Sequence, residues 1–217
     1  SGGPKMFQLY IHKDKGLTDN LIDRCKRSGF KAMCLTVDTV VAGNRERDHR
    51  WGFTTPPKLT LKSLLSFATH PMWSINYLTH EKFQLANVSH FTKKGSSIAK
   101  GVMEYINEQY DPKMNWEDAE YCIKRWGGPF AIKGVMSVED AKRAVQIGAS
   151  AIMLSNHGGR QLDGSRAPFY QLPAIADAVG GKVEIIIDGG IRRGTHILKA
   201  LSLGATACSF GNCLLYT

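Results

Sequence analysis

Short apolar runs alternate along this chain with capped helical stretches, and that alternation admits few folds. Met6–Ile11, Ala32–Val37, Phe130–Lys133, Ala151–Leu154, Val183–Ile187 and Ala205–Phe210 each have the length and apolar content of a strand. Between them, Thr18 is placed to cap a helix over Asp19–Arg27 that stops at Gly29. Asn115 is placed to cap another over Trp116–Trp126, ended by Gly127-Gly128. Ser137-Val138-Glu139-Asp140 has the form of a capping box for a helix that stops at Gly148, and a further helix is expected over Thr195–Leu203, closed by Gly204. Strand–helix units joined by short loops give a parallel sheet with helices outside it. The expected class is α/β. Six strands can be counted, whereas a closed (β/α)8 barrel needs eight and typically about 250 residues.

The chemistry concentrates where strands end. Ala149–Leu154 runs directly into Ser155-Asn156-His157-Gly158-Gly159-Arg160-Gln161-Leu162-Asp163. In α/β folds ligands bind at that end of a strand, because its loops vary while the strands hold them rigid. A histidine moves protons near neutral pH, and an arginine offers a planar fork suited to carboxylate or phosphate. Two glycines beside them let backbone approach a ligand closely. The combination suggests proton abstraction from a small acid anion. Val183–Ile187 likewise runs into Asp188-Gly189-Gly190-Ile191-Arg192-Arg193-Gly194 and then a helix start. Unpaired N–H groups, the helix dipole and arginines together make an anion site suited to phosphate.

Composition narrows the alternatives. The 217 residues suffice for one buried core, and 43% hydrophobic with 22% charged residues is ordinary for a globular protein. No apolar run approaches the roughly 20 residues of a membrane span, and no secretory leader pattern opens the chain. Cys25, Cys34, Cys122, Cys208 and Cys213 are odd in number and lack CxxC spacing, which argues against a disulfide framework or a zinc site and fits a reducing compartment. No metal is expected. The net charge of +9 favours an anionic partner. With no nucleic-acid motif beside it, a membrane surface ranks above nucleic acid.

One stretch breaks the alternation. Residues 40–115 hold a charged segment, Gly43–Arg50, followed by Pro56-Pro57 and by Phe67, Trp73, Tyr77, Phe83 and Phe91 interleaved with Lys58, Lys62, Lys82, Lys93, Lys94 and Lys100. Loops this long are usually functional or disordered. A basic amphipathic segment with tryptophan can lie in a membrane interface; a lid over the barrel mouth is the alternative. The whole of 1–217 is read as a single domain with this segment inside it.

The chain resembles the FMN-dependent L-2-hydroxy acid oxidase and dehydrogenase family, which includes glycolate oxidase, L-lactate dehydrogenase and mandelate dehydrogenase. The resemblance rests on Phe7-Gln8-Leu9-Tyr10, Leu35-Thr36-Val37-Asp38-Thr39, Arg45, Ile132-Lys133-Gly134-Val135, Ser155–Asp163 and Asp188–Gly194, in that order along nearly the whole chain. It implies a TIM barrel of which this chain carries strands three to eight, with the long excursion after strand four. Both ends then look truncated. Gly211-Asn212 stands where the family usually has Gly-Arg after strand eight, so the isolated chain is expected to bind FMN weakly.

The resemblance also implies roles. His157 takes a proton as the hydroxy acid becomes a 2-oxo acid, and Asp38 stabilises the imidazolium. Arg160 and Arg45 clamp the substrate carboxylate, and Tyr10 hydrogen-bonds the substrate. Gln8, Thr36 and Ser155 contact the flavin, and Lys133 supports its reduced ring. Asp188 holds the ribityl chain, and Gly189, Gly190, Arg192 and Gly211 surround the phosphate. L-Lactate is the leading substrate, with mandelate and glycolate as alternatives. Electrons pass to quinone or another membrane acceptor, or to oxygen with release of peroxide in an oxidase. The implied setting is cytoplasmic, peripheral on the inner face of the membrane, as a homo-oligomer. From a different class, an inactive barrel segment would serve only in assembly, because unpaired strand edges invite pairing.

Overall fold

The structure, a computed structural model, describes residues 2–39, 46, 50, 60–80, 111–161 and 164–211. The chain divides into two compact units. One comprises Ser1–Asn44 with Tyr110–Thr217, and the other Arg45–Gln109.

In the larger unit the described elements are β1 (Met6–Leu9), α1 (Lys15–Arg27), β2 (Ala32–Thr36), α4 (Trp116–Trp126), β3 (Phe130–Lys133), α5 (Val138–Gln146), β4 (Ala151–Leu154), α6 (Pro168–Val179), β5 (Glu184–Asp188), α7 (Gly194–Ser202) and β6 (Ala207–Ser209). The six strands form one sheet in the order β1-β2-β3-β4-β5-β6. Every pairing is parallel. Each strand thus lies beside its predecessor, as in consecutive strands of a barrel wall. The architecture is a partial (β/α)8 barrel.

Alternation along the strands separates two faces. Leu9, Met33, Leu35, Phe130, Ile132, Ile152, Leu154, Ile185 and Ile187 are each at most 1% exposed and share one face. Their burial contributes roughly 1.5–3 kcal/mol per side chain. On the other face, Cys34, Ala131 and Met153 cluster with Ala151 and Ile186. One register step further along, that face becomes polar: Thr36 lies opposite Lys133, and Asp188 opposite Ser209. The hydrophobic layer holds the helices, and the polar ends of the strands carry the site.

Several element boundaries differ from the sequence reading. Asp14, not Thr18, caps α1, its Oδ1 accepting from the N–H groups of Gly16 (2.8 Å) and Leu17 (3.3 Å). Thr18 is buried inside the helix and accepts from His12 N–H instead. Ser137 caps α5, but the Asp140 carboxylate meets the Ser137 hydroxyl and not its backbone N–H. In this unit a reciprocal box occurs on α4, between Asn115 and Asp118. The sequence reading omitted α6, where Pro173 interrupts the helical ladder at a cost of about 3 kcal/mol. Burial of Leu172, Ile175 and Val179 offsets it.

The smaller unit contains α2 (Leu61–Thr69) and α3 (Pro71–Thr79). Neither buries a residue, although Leu61, Leu64, Leu65, Met72, Trp73, Ile75, Tyr77 and Leu78 are large and apolar. Phe67, Trp73 and Tyr77 stack in series with ring centroids 5.3 Å apart. No described helix is long and apolar enough to cross a membrane. The reading of 40–115 as one membrane-association or lid segment falls largely outside the described residues, including Phe83, Phe91, Lys58, Lys82, Lys93, Lys94 and Lys100.

Candidate active site at the strand ends

The C-terminal ends of the strands gather the predicted residues into three groups. At β1 and β2, the Gln8 amide Nε2 donates to Thr36 Oγ1 at 2.7 Å and to the Tyr10 hydroxyl at 2.9 Å. Tyr10 follows Gln8 by two residues just past β1, and Thr36 lies two residues beyond Cys34, the register partner of Gln8 on β2, so the strand repeat of two puts all three on one face.

At β3, β4 and β5, Lys133 Nζ donates to Ser155 Oγ at 2.6 Å and to Asp188 Oδ2 at 2.7 Å. Ser155 Oγ donates in turn to Asp188 Oδ2 at 2.8 Å and accepts from His157 N–H at 3.2 Å. The serine hydroxyl thereby uses its one proton and both lone pairs. The Lys133 and Asp188 side chains are 11% and 21% exposed, so each charge depends on the other. Burial pushes the Asp188 carboxyl up, but hydrogen bonds from Lys133, Ser155 and Ser209 outweigh it and hold it below its ordinary range. Ser209 escaped the sequence reading; its signal was its inward position on the last strand, in register with Asp188. The ammonium has three donors and two are engaged, leaving one for a ligand.

Above these lies the third group. His157 Nδ1 stands 3.0 Å from Asp38 Oδ1 and 3.2 Å from Oδ2, with the two side chains 26% and 15% exposed. A carboxylate against Nδ1 fixes the neutral tautomer with Nδ1–H donating, which leaves Nε2 as a free base. The backbone of His157 has φ +57°, and no other non-glycine described residue has positive φ. Such a conformation costs roughly 1–2 kcal/mol and persists only where its surroundings enforce it. Here the enforcing contacts are the Ser155 hydroxyl on His157 N–H and Asn156 Oδ1, which accepts from Gly158 N–H at 3.1 Å.

The remaining predicted residues are placed but not joined to these groups. Arg160 follows the His157–Gly159 turn and is exposed. Gly189 (φ +94°) and Gly190 (φ +73°) carry the chain from β5 toward α7, and a Cβ at either would meet nothing within 4 Å. Arg192 is exposed beside them. The first turn of α7 has neither an acidic residue nor a side-chain cap; His196 N–H donates to Arg193 O at 3.0 Å, and the N–H groups of Gly194 and Thr195 stay available to an anion. Gly211 is exposed just beyond β6. Arg45 and Asn212 lie outside the described residues. No cluster of metal-ligating side chains occurs among the described residues.

The chain is similar to known proteins in sequence and in fold. The family profile described as FMN-dependent dehydrogenase matches residues 1–217. An L-lactate oxidase of Nostoc sp. is 44% identical over 210 residues, covering 97% of this chain and 52% of that protein. An L-lactate dehydrogenase of Actinobacillus pleuropneumoniae is 40% identical, with 98% of this chain and 56% of that protein covered. Among solved structures, the monotopic membrane protein (S)-mandelate dehydrogenase superposes with a TM-score of 0.88 at 35% identity, covering 99% of this chain and 56% of that one. A mandelate oxidase structure gives 0.74 at 34% identity, covering 99% and 54%. The chain spans about half the length of the curated relatives it matches. A partial barrel with its polar groups at the strand ends, matched along its full length by that profile, has one family assignment: the chain belongs to the FMN-dependent dehydrogenases.

Proposed function

We propose that this chain contributes the FMN site and the proton-transfer machinery of an L-2-hydroxy acid dehydrogenase, with L-lactate as the leading substrate. The His157–Asp38 pair, held in a strained turn beside the Lys133–Ser155–Asp188 triangle, carries that reading. The residues fit FMN. Gly189 and Gly190 leave room for backbone to approach a ligand, and the open first turn of α7 with Arg192 suits a phosphate. Gln8, Thr36 and Ser155 supply hydrogen-bonding groups for a ring edge, and Asp188 supplies an acceptor for ribityl hydroxyls. When bound, FMN supplies the two-electron acceptor.

The chain's own residues handle charge and protons. His157 Nε2 accepts the substrate proton while Asp38 holds Nδ1–H and stabilises the imidazolium; a positioned base contributes about 10²–10⁴-fold. Arg160, with Arg45, pairs with the substrate carboxylate and so orients the substrate. Tyr10 orients the substrate by its hydroxyl. Lys133, with one donor left after Ser155 and Asp188, would supply positive charge to FMN if it binds here.

The electron acceptor is quinone or another membrane acceptor. The exposed apolar and aromatic surface of α2 and α3 supports peripheral attachment there, with 40–115 as a membrane-association segment inside one barrel domain. The protein acts on the inner face of the membrane as a homo-oligomer. Anaerobic mixing of the flavin-loaded protein with L-lactate tests the reading: the flavin is expected to bleach and to be reoxidised faster by a quinone analogue than by oxygen. Rapid reoxidation by oxygen with peroxide release would make it an oxidase. No bleaching by any 2-hydroxy acid would overturn the function.

A further inference from the structure

The loop after β3 bears on the proton-transfer pair in a way its neighbours do not. Gly134 has φ +105°, and a Cβ built there would lie 2.8 Å from Asp38 Cβ, 3.0 Å from Asp38 N and 3.1 Å from Asp38 Cγ. Ordinary contact begins near 3.4 Å. The backbone of Gly134 therefore touches Asp38 at the root of its side chain, where no rotamer change can relieve a clash. Gly134 is itself held: its N–H donates to Met153 O at 3.0 Å, and Val37 N–H donates to Lys133 O at 2.9 Å. Asp38 is thus seated between the end of β3 on one side and His157 on the other.

Resting on the function proposed above, we propose that Gly134 is a positioning residue for proton transfer: its bare backbone sets where the Asp38 carboxylate stands, and so the Asp38–His157 bond. A methyl group at 134 would force Asp38 to give by roughly half an ångström or more. The two contacts are 3.0 and 3.2 Å, the first an ordinary N–H···O length and the second at the upper end of the range, so a shift of that size lengthens or misaligns both. The fold has room to yield in this way. A cavity of about 420 Å3 adjoins the contact, lined by Val37, Trp116, Gly134 and Val135 among others, so the segment bearing Asp38 can move into it.

Gly134→Ala tests this, with Gly204→Ala as a matched comparator. Gly204 also has positive φ (+99°), and its Cβ would lie 2.7 Å from Ala176 Cβ, away from the site. Two readouts are taken: the downfield Nδ1–H proton resonance of His157 in the flavin-free chain, and L-lactate turnover of the flavin-loaded protein. Gly134→Ala is expected to abolish or move the resonance and to lower kcat by about 10–10²-fold, with KM for L-lactate little changed because the arginine clamp is untouched. Gly204→Ala is expected to lower thermal stability and to leave the resonance in place. A folded Gly134→Ala protein with the parent's resonance and kcat overturns the proposal, as does a Gly204→Ala protein that loses the resonance too. If Gly134→Ala does not fold, Asp38→Gly/Gly134→Ala removes the two side-chain atoms in conflict and leaves only the contact with Asp38 N; a larger folded fraction than Gly134→Ala alone supports the contact, and no gain overturns it. Asp38→Asn separates this idea from the function itself. Normal flavin reduction in Asp38→Asn would sink the proton-transfer reading, while the resonance in Gly134→Ala still decides whether the glycine positions Asp38.

Discussion

His157 combines three properties that seldom meet in one residue: a left-handed backbone, a carboxylate on Nδ1 and a partly exposed ring. A histidine satisfying a turn needs none of these together. Glutamine at 157 keeps a polar side chain of similar reach but cannot accept a proton. His157→Gln is therefore expected to retain flavin and lose flavin reduction by about 10²–10⁴-fold, followed by anaerobic stopped-flow with L-lactate; near-parental reduction would remove His157 as the base. Arg160 stands differently, exposed and without an ion pair among the described residues. Lysine keeps its charge but not its planar fork. In Arg160→Lys, kcat/KM should fall tenfold or more, a loss of about 1.4 kcal/mol in transition-state binding, while the thermal midpoint stays within a degree or two of the parent. A matching fall in stability would reassign the arginine to structure.

At the scale of elements, the strand ends act as one device. Lys133, Ser155 and Asp188 come from three successive strands, and their hydrogen bonds tie β3, β4 and β5 together at the rim. Removing one partner of a mostly buried pair leaves the other charge uncompensated. Asp188→Asn is expected to cost about 3 kcal/mol at neutral pH, read from urea unfolding. The pH dependence has a definite sign. The carboxyl is held below its ordinary value of 3.8 in the folded chain, so its stabilisation is fully present above that value and is lost as pH falls through the folded pKa. The stability gap between parent and Asp188→Asn should be widest near neutrality and close in acid. A gap that widened toward low pH would show that the pair is not what the substitution breaks. This triangle was only half legible in sequence. Lys133 at a strand end demanded a partner, but nothing local named Asp188, which lies 55 residues on.

For the whole molecule, charge and surface point the same way. The chain carries a net charge of +9, and α2 and α3 expose Leu61 (82%), Leu78 (80%), Met72 (72%) and the stacked Trp73. Cations near an anionic bilayer gain about 1 kcal/mol each, and apolar side chains add their transfer energy. Binding to vesicles containing anionic lipid is expected, with a blue shift of tryptophan emission. Leu61→Glu/Leu78→Glu should weaken it by tenfold or more, whereas flavin reduction by L-lactate stays unchanged. Equal binding by that variant would reassign the helices to a role other than membrane contact.

The sequence by itself determined what depends on near neighbours: the alternation of strands and helices, four glycine-marked helix ends, and the Gly-rich turns that place His157, Arg160 and Arg192 after strands. Hydrophobic period, caps and turn residues act within a few positions, so they can be read in order along the chain. Even so, local signals misplaced the start of α1, where Asp14 outcompeted Thr18 by reaching two backbone donors, and missed α6, whose Pro173 reads as a break. The tertiary structure decided which distant groups meet. Asp38 pairs with His157 across 119 residues, and Gly134 touches Asp38. Sheet register alone puts those strand ends side by side, and register is fixed by the buried face of every strand at once.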